Sequence, residues 1–195
     1  GNVYGVRVPG LATEVRASGA AGRFEMVNMG DVKNQTGATL QTNSNNTSVT
    51  NFLRPEDGAW DTRPGHENDY YFVTTDRFNT TGTDGHSRLY RMRFDDITNP
   101  TAGGNIDMLI DGFVSGPNMM DNITVDSHGR IIMLEDIGNQ SPLGKVWLYD
   151  TNTGGLGVIA QHDATRFLAG GSNFLTIDEE ASGVIDAKDL LGDGW

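Results

Sequence analysis

The sequence of 195 residues contains no cysteine. Disulfide bonds, thiolate metal sites and a cysteine nucleophile are therefore excluded within this stretch. It has no apolar run of about 18 residues, so no segment is expected to span a bilayer. The chain opens on Gly1-Asn2-Val3-Tyr4, without an initiator methionine or a charged-then-apolar leader, and stops at Gly194-Trp195. We therefore expect a fragment of a longer protein.

Basic residues are also scarce. There are 14 Lys and Arg against 26 Asp and Glu, which gives a net charge of −12 and a pI near 4.5. Such a chain is repelled by phosphate backbones and anionic lipid surfaces, so nucleic acid and membrane are not expected as partners. The acidity is compatible with binding of divalent cations, although acidic surfaces also simply confer solubility.

What the sequence does contain indicates a turn-rich β protein. Hydrophobic residues make up 36% of the chain, and 26 glycines accompany many Asn, Thr and Asp residues. Residues 1–50 form an irregular N-terminal part, with short strands expected near residues 3–8 and 24–29. Residues 31–50 are rich in Asn, Thr and Gln, and we predict a long polar loop or insertion there.

From residue 51 onward, two units of similar order follow each other. The first has its strands near residues 52–61, 69–75, 87–94 and 106–110, and the second near 121–126, 130–136, 145–150 and 156–160. Successive units of four short antiparallel strands are typical of β-propeller blades. We predict an all-β fold in which residues 51–195 are a partial set of blades, with boundaries near 51–116 and 117–170 and a third blade beginning near 171.

Superposing the units aligns their acidic residues. Glu56 falls on Asp121, and Glu180 (or Glu179) occupies nearly the same position in the third unit. The innermost strand of each blade borders the central channel, so these acids would form a ring of carboxylates, which a hard cation such as calcium stabilises. Arg54 shares the strand face of Glu56 and could grip an anion. The alternative is that these acids are ordinary turn residues, as the Asp57-Gly58 pair suggests.

The sequences of several predicted strands resemble those of a known family. Phe52-Leu53-Arg54-Pro55-Glu56-Asp57-Gly58-Ala59-Trp60-Asp61 is the most specific string, and it is supported by segments 71–75, 88–94, 120–123 and 134–136. Together they resemble the PhoX-type alkaline phosphatase family. The run from Asp178 to Asp186 is similar to that of secreted bacterial relatives of unassigned function. The resemblance covers residues 51–195.

The resemblance implies a six-bladed propeller that holds calcium and iron in its channel and hydrolyses phosphate monoesters outside the cell or in the periplasm. It implies that Glu56 is a metal ligand, that Arg54 contacts the substrate phosphate, and that Asp121 is a calcium ligand. The iron-binding cysteine of the family lies upstream of this motif. Because this sequence has no cysteine, that residue lies before Gly1, or this branch lacks iron.

Two functions follow as hypotheses. The first is a secreted, calcium-dependent phosphoesterase that acts on a phosphate monoester or other small anion. The second is a non-catalytic extracellular calcium-binding propeller with a binding or assembly role. In both, the rest of the same polypeptide or another chain completes the propeller, because a few blades alone expose open sheet faces.

Other candidate residues are given structural roles. The four histidines lie beside Gly, Asp or similar loop residues without paired ligand spacing, and we expect them at the surface. Trp60, Trp147 and the pair Tyr70-Tyr71 are expected to pack between strands. The strand-end acids Asp95-Asp96 and Glu135-Asp136 are expected to be solvated, although the second pair could reach the channel rim.

Overall fold

The protein is described by a computed structural model that covers residues 1–16, 18–76, 85–140 and 142–193. These residues contain ten β-strands: β1 Val3–Arg7, β2 Gly22–Gly30, β3 Pro55–Trp60, β4 Asp69–Thr74, β5 Arg88–Phe94, β6 Gly104–Asp111, β7 Met120–Val125, β8 Arg130–Glu135, β9 Lys145–Asp150 and β10 Leu156–Gln161. The helices are α1 Gly37–Asn46, α2 Gly112–Ser115, α3 Ala164–Phe167, α4 Lys188–Leu191 and a 3₁₀ turn at Pro100–Ala102.

The strands form two antiparallel sheets. The first has the order β1-β2-β6-β5-β4-β3, and the second has the order β10-β9-β8-β7. In each, four strands consecutive in sequence lie side by side, because short connections favour antiparallel neighbours. The all-β prediction is confirmed, and the two four-stranded meanders are consistent with part of a β-propeller. The six blades implied by the family resemblance stay a prediction.

Alternating apolar residues explain how the two sheets pack. On one face of the first sheet, Tyr71, Val73 and Leu89 are buried against residues of the second sheet. Their partners there are Met120, Ile123, Val125, Ile131, Met133, Trp147 and Tyr149. Because side chains alternate along a strand, the residues between them lie on the opposite face. That face carries a second core, which includes Phe72, Tyr90 and Met92 and is covered by β1 and β2.

Two regions differ from the pattern expected from the sequence. The polar stretch 31–50 contains α1, whose N-terminus is capped by Thr36 through a hydrogen bond from the Thr39 amide, at 3.1 Å. No residue of α1 is buried, so it lacks the apolar stripe by which a helix is recognised in a sequence. Residues 171–187 contain no strand; Glu180 makes a single antiparallel bridge with Asp136.

The helices in the described part of the chain are all too short or too polar to cross a membrane.

Candidate metal and anion site

The segment between Phe52 and Asp57 makes a tight turn into β3. Arg54 has φ +57°, a left-handed conformation that is uncommon for a residue with a side chain. Backbone hydrogen bonds hold this turn: the Thr75 amide donates to the Arg54 carbonyl at 2.9 Å, and the Asp76 amide donates to the Leu53 carbonyl at 3.0 Å. The turn directs the Arg54 guanidinium back to the Asp76 carbonyl, to which Nη1 donates at 2.8 Å.

Two β-bulges lie where β3 and β7 meet. The register of β3 shifts between Pro55 and Gly58, and that of β7 shifts between Met120 and Asn122. A bulge adds one residue to a strand and turns side chains out of the regular alternation. In β3 the extra residue falls at Glu56 or Asp57, and in β7 it is Asp121. The bulges are linked, because the Ile123 amide donates to Asp57 Oδ2 at 3.2 Å.

Asp121 belongs to a cluster of three carboxylates. One oxygen from each of Asp121, Asp136 and Glu180 lies within 4.8 Å of the other two. Asp121 and Asp136 are partly buried, and Glu180 is exposed. Asp136 follows β8 directly, and its amide donates to the Met119 carbonyl at 2.8 Å. The bridge between Asp136 and Glu180 brings the C-terminal segment to the same place.

The charges of this cluster are incompletely balanced. Burial raises the pKa of Asp121, the nearby charges of Asp136 and Asp57 raise it further, and Arg54 opposes these effects. The Arg54 guanidinium is half-exposed, and Nη2 lies 3.7 Å from Glu56 Oε1. Carboxylates held this close repel each other unless a proton or a cation intervenes. The cluster is therefore an electrostatically favourable place for a cation.

The donor set fits a hard divalent cation. Three carboxylates supply only oxygen donors, which calcium prefers, and the cluster contains neither an imidazole nor a thiolate. Two further oxygens, Asn122 Oδ1 and Glu179 Oε2, are buried without a hydrogen-bond partner among the described residues. They belong to residues adjacent in the chain to Asp121 and Glu180. The sequence contains no cysteine, so the cysteine ligand of iron that the family resemblance implies is not among these residues.

The structure brings some of the predicted site residues together and separates others. Asp121 and Glu180 lie in one cluster. Glu56 lies beside Arg54 and outside the cluster, and Glu179 is 4% exposed with Oε1 accepting a hydrogen bond from the Gly144 amide at 3.0 Å. The metal-ligand roles of Glu56, Asp121, Glu179 and Glu180 stay predictions.

The pair Glu135-Asp136 has two different environments. Asp136 joins the cluster. Glu135 is 1% exposed, against the expectation of a solvated acid, and its oxygens accept hydrogen bonds from three groups: the Asn118 amide at 2.8 Å, the Lys145 amide at 2.9 Å and Trp147 Nε1 at 2.8 Å. Burial raises the pKa of Glu135, and these hydrogen bonds oppose the change. The strand-end position was the only sequence signal for Asp136, and it did not distinguish the two residues.

A second group of possible ligands is Asp61, His66 and Asp69, whose ligand atoms also lie within 4.8 Å of one another. Here arginines meet the acids: Arg63 donates to Asp61 at 3.0 and 2.6 Å, and Arg93 donates to Asp69 at 2.6 Å through two nitrogens. Burial would raise the pKa of Asp61, but the hydrogen bonds from Arg63 outweigh it and lower the pKa. This group is an ion-pair network with little need for a cation.

Comparison with known proteins gives little further information. No family model matches the sequence, and no curated protein matches it. A solved structure with some similarity is Pseudomonas fluorescens PhoX in complex with vanadate, a transition state analogue, with 16% identity and a TM-score of 0.48 over 71% of this chain. The matched part spans 32% of that chain. Because both values are low, the interpretation of the site rests on the geometry of this protein.

Proposed function

We propose that the protein binds calcium at Asp121, Asp136 and Glu180 and hydrolyses a phosphate monoester beside that ion. The observation that carries the proposal is the approach of three carboxylate oxygens to within 4.8 Å of one another. They come from β7, from the end of β8 and from the C-terminal segment. Calcium in proteins takes six to eight oxygen ligands, so three carboxylates leave positions for water and for a substrate oxygen.

Arg54 supports an anionic substrate. Its guanidinium partly offsets the raised pKa of Asp121, and half of the side chain is exposed. A guanidinium can donate two parallel hydrogen bonds to a phosphoryl group. The string around Arg54, which resembles PhoX-type alkaline phosphatases, supports a phosphate ester over other anions.

The residues of the chain would act by positioning and by charge. A bound divalent cation would neutralise phosphoryl oxygens and orient the ester. Arg54 would donate to the phosphoryl oxygens from a turn whose backbone is already fixed, so little reorganisation accompanies the reaction. Asp57, by accepting from the Ile123 amide, would hold β3 against β7 and so fix Arg54 relative to Asp121.

The wider parts of the proposal rest on the resemblance. They are an extracellular or periplasmic location, and completion of the propeller by the rest of the same polypeptide or by another chain. Exposed apolar residues support the second point, because Val158, Ile159, Leu175, Ile185 and Leu190 are 46–77% exposed.

The test combines calcium binding with turnover of p-nitrophenyl phosphate. Asp121→Asn and Glu180→Gln should each weaken calcium binding about tenfold or more, because the affinity of an oxygen site follows its ligand charge. Arg54→Gln should retain calcium and lower kcat/KM about 100-fold. Asp178→Asn, an exposed acid near Glu180, is the matched control and should change neither quantity. Unchanged calcium affinity in both carboxylate variants would refute the site.

A second candidate is a non-catalytic calcium-binding propeller. The observation that favours it is the position of Glu180, which lies in a segment without helix or strand and joins β8 through one bridge. An ion there would fasten this segment to the second sheet. Calcium binding without turnover of any phosphoester, combined with a higher melting temperature, would support this candidate over the phosphoesterase.

A further inference from the structure

We infer that a groove on the face of the first sheet away from the second sheet binds an organic cation of the alkylated ammonium type, with Glu56 as its counter-ion. The groove has a volume of about 280 Å³, and its lining includes Phe52, Pro55, Glu56, Tyr70, Phe72 and Met92. It is separate from the carboxylate cluster, so this inference does not depend on the proposed function.

Three aromatic rings form a corner in this groove. The rings of Tyr70 and Phe72 are stacked, with centroids 6.5 Å apart and planes 20° from parallel. Phe52 stands at 86° to Phe72 at a centroid distance of 5.2 Å, which makes a wall. The faces of aromatic rings are electron-rich, and a corner of such faces attracts a cation whose charge is spread over an apolar shell.

The position of the Tyr70 ring depends on Gly58 in the neighbouring strand β3. A Cβ atom at Gly58 would lie 2.1 Å from the Tyr70 hydroxyl oxygen, so only glycine lets this ring lie over β3. Trp60 also packs against this ring, at a centroid distance of 4.9 Å and an angle of 51° between the planes. The Asp57-Gly58 pair, which in the sequence suggests an ordinary turn, thus has a packing role beneath the groove.

The charge of the groove points to a cation. Glu56 is the only charged residue among the described residues that line it. Its carboxylate is about one-third exposed, and its one ionic contact in the described structure is Arg54 at 3.7 Å, beyond hydrogen-bond distance. A partly exposed carboxylate beside aromatic rings is complementary to an ammonium group that carries methyl groups. A neutral apolar ligand would use the rings and gain nothing from the charge of Glu56.

The experiment titrates the whole chain with choline chloride and, separately, with 3,3-dimethylbutan-1-ol, its neutral carbon isostere, at constant ionic strength. Binding is followed by NMR shifts and calorimetry. We expect saturable binding of choline, and binding of the isostere weaker by about fivefold or more. Equal affinity for the two compounds, or no saturable binding of choline, would overturn the inference.

Variants locate the site. Glu56→Gln and Tyr70→Leu should each weaken choline binding about fivefold, whereas Tyr70→Phe, which keeps the ring, should leave it unchanged. Asp31→Asn, an exposed acid outside the groove, is the control for general surface charge. The same set separates the two roles of Glu56. If Glu56→Gln weakened calcium binding and left choline binding unchanged, the carboxylate would serve the metal and the groove inference would be wrong.

Discussion

Glu14 is fully buried, and it fastens the N-terminal segment to the first sheet. Its Oε1 accepts hydrogen bonds from three side chains: Arg88 at 2.7 Å, Tyr90 at 2.9 Å and Thr74 at 3.2 Å. Oε2 accepts from the Leu53 amide at 2.9 Å. A buried carboxylate with this many donors stabilises the fold only while every group in the network keeps its hydrogen-bond partner. Nothing in the sequence distinguishes Glu14 from the exposed acids, because its partners lie 39 to 76 positions away.

Glu14→Ala is expected to lower the free energy of unfolding by about 3–5 kcal/mol. The reason is that Arg88, which is 1% exposed, would keep a buried charge without its main partner. Chemical denaturation in urea measures the loss. Glu25→Ala is the matched control, since Glu25 pairs with Arg7 at the surface, where an ion pair contributes about 0–1 kcal/mol. Similar losses in the two variants would contradict the network interpretation.

The raised pKa of Asp121 leads to a pH dependence whose sign follows from proton linkage. Between the ordinary value and the raised value, the folded protein holds this proton more tightly than the unfolded chain. The stabilising contribution from Asp121 is therefore complete at low pH and is lost as the pH rises through the raised pKa. Calcium must displace the same proton, so calcium affinity changes in the opposite direction.

We expect calcium affinity to fall by up to about tenfold per unit as the pH drops below the pKa of Asp121. Calorimetric titration across the acidic range measures it, and the calcium-induced rise in Tm should shrink in parallel. Asp121→Asn removes the titrating group, so the variant should show weaker binding with a smaller pH slope. A wild-type affinity that stays constant through this range would show that Asp121 is not a ligand.

Among the elements, the strands were predictable and the helices were not. Segment Arg88–Phe94 contains alternating basic and apolar residues, which is typical of a strand. In the structure it is β5, which pairs with β4 on one side and β6 on the other. The strand expected over residues 145–150 coincides with β9, Lys145–Asp150. Helix α1 has no apolar face to recognise, and 174–186, which has the composition of a strand, has none among its described residues. A strand forms only where a neighbour supplies hydrogen-bond partners, and no local pattern encodes that neighbour.

The bulges limit how much of the site could be predicted. Counting residues aligned Glu56 with Asp121, but each of β3 and β7 contains one extra residue near these positions. A bulge turns side chains out of the regular alternation, so counting by period two does not predict which way Glu56 and Asp121 face. The result is that Asp121 and Glu180 meet Asp136, whereas Glu56 faces the aromatic groove. The sequence indicates Asp136 only as an acid at the end of a predicted strand.

Strand β10 is the outer edge of the second sheet, and it is exposed along nearly its whole length. It carries no charged residue, and Val158 and Ile159 are 46% and 55% exposed. Its one protective feature is a bulge, which shifts the register between Val158 and Ala160. Edge strands of this kind pair with other chains unless charge, proline or irregularity prevents it.

We expect the protein to self-associate through this edge at high concentration, and Ile159→Lys to reduce the association with a change in stability of less than about 0.5 kcal/mol. Sedimentation velocity over a range of concentrations measures the association, and thermal unfolding checks the stability. Val114→Lys is the control, because Val114 is 87% exposed and lies on α2, outside β10. Equal effects of the two variants would indicate general charge repulsion instead of edge pairing.

The molecule as a whole is held together unevenly. The two sheets share a buried core, whereas residues 171–187 contact the second sheet through a few polar contacts. These are the bridge at Glu180, the bond from the Gly144 amide to Glu179, and the bond from the Ser127 amide to Asp186 at 2.9 Å. Regions with few buried apolar contacts open at low free energy cost. The carboxylate cluster lies at the junction between the stable and the weakly held parts.

Calcium should therefore protect this junction more than the rest of the protein. Because an ion that binds only the closed form stabilises it by mass action, we expect calcium at 100 times its Kd to slow amide exchange around residues 178–182 by up to about 100-fold. Amides of β1 and β2 that exchange through local openings should stay unchanged, because such openings leave the cluster intact. Hydrogen exchange followed by mass spectrometry gives both measurements in one experiment.

The variant Asp121→Asn should abolish the local effect. Magnesium should protect less than calcium, because it binds fewer ligands and requires a stricter geometry. If saturating calcium did not slow exchange around residues 178–182 at all, the assignment of the ion to Asp121, Asp136 and Glu180 would be wrong.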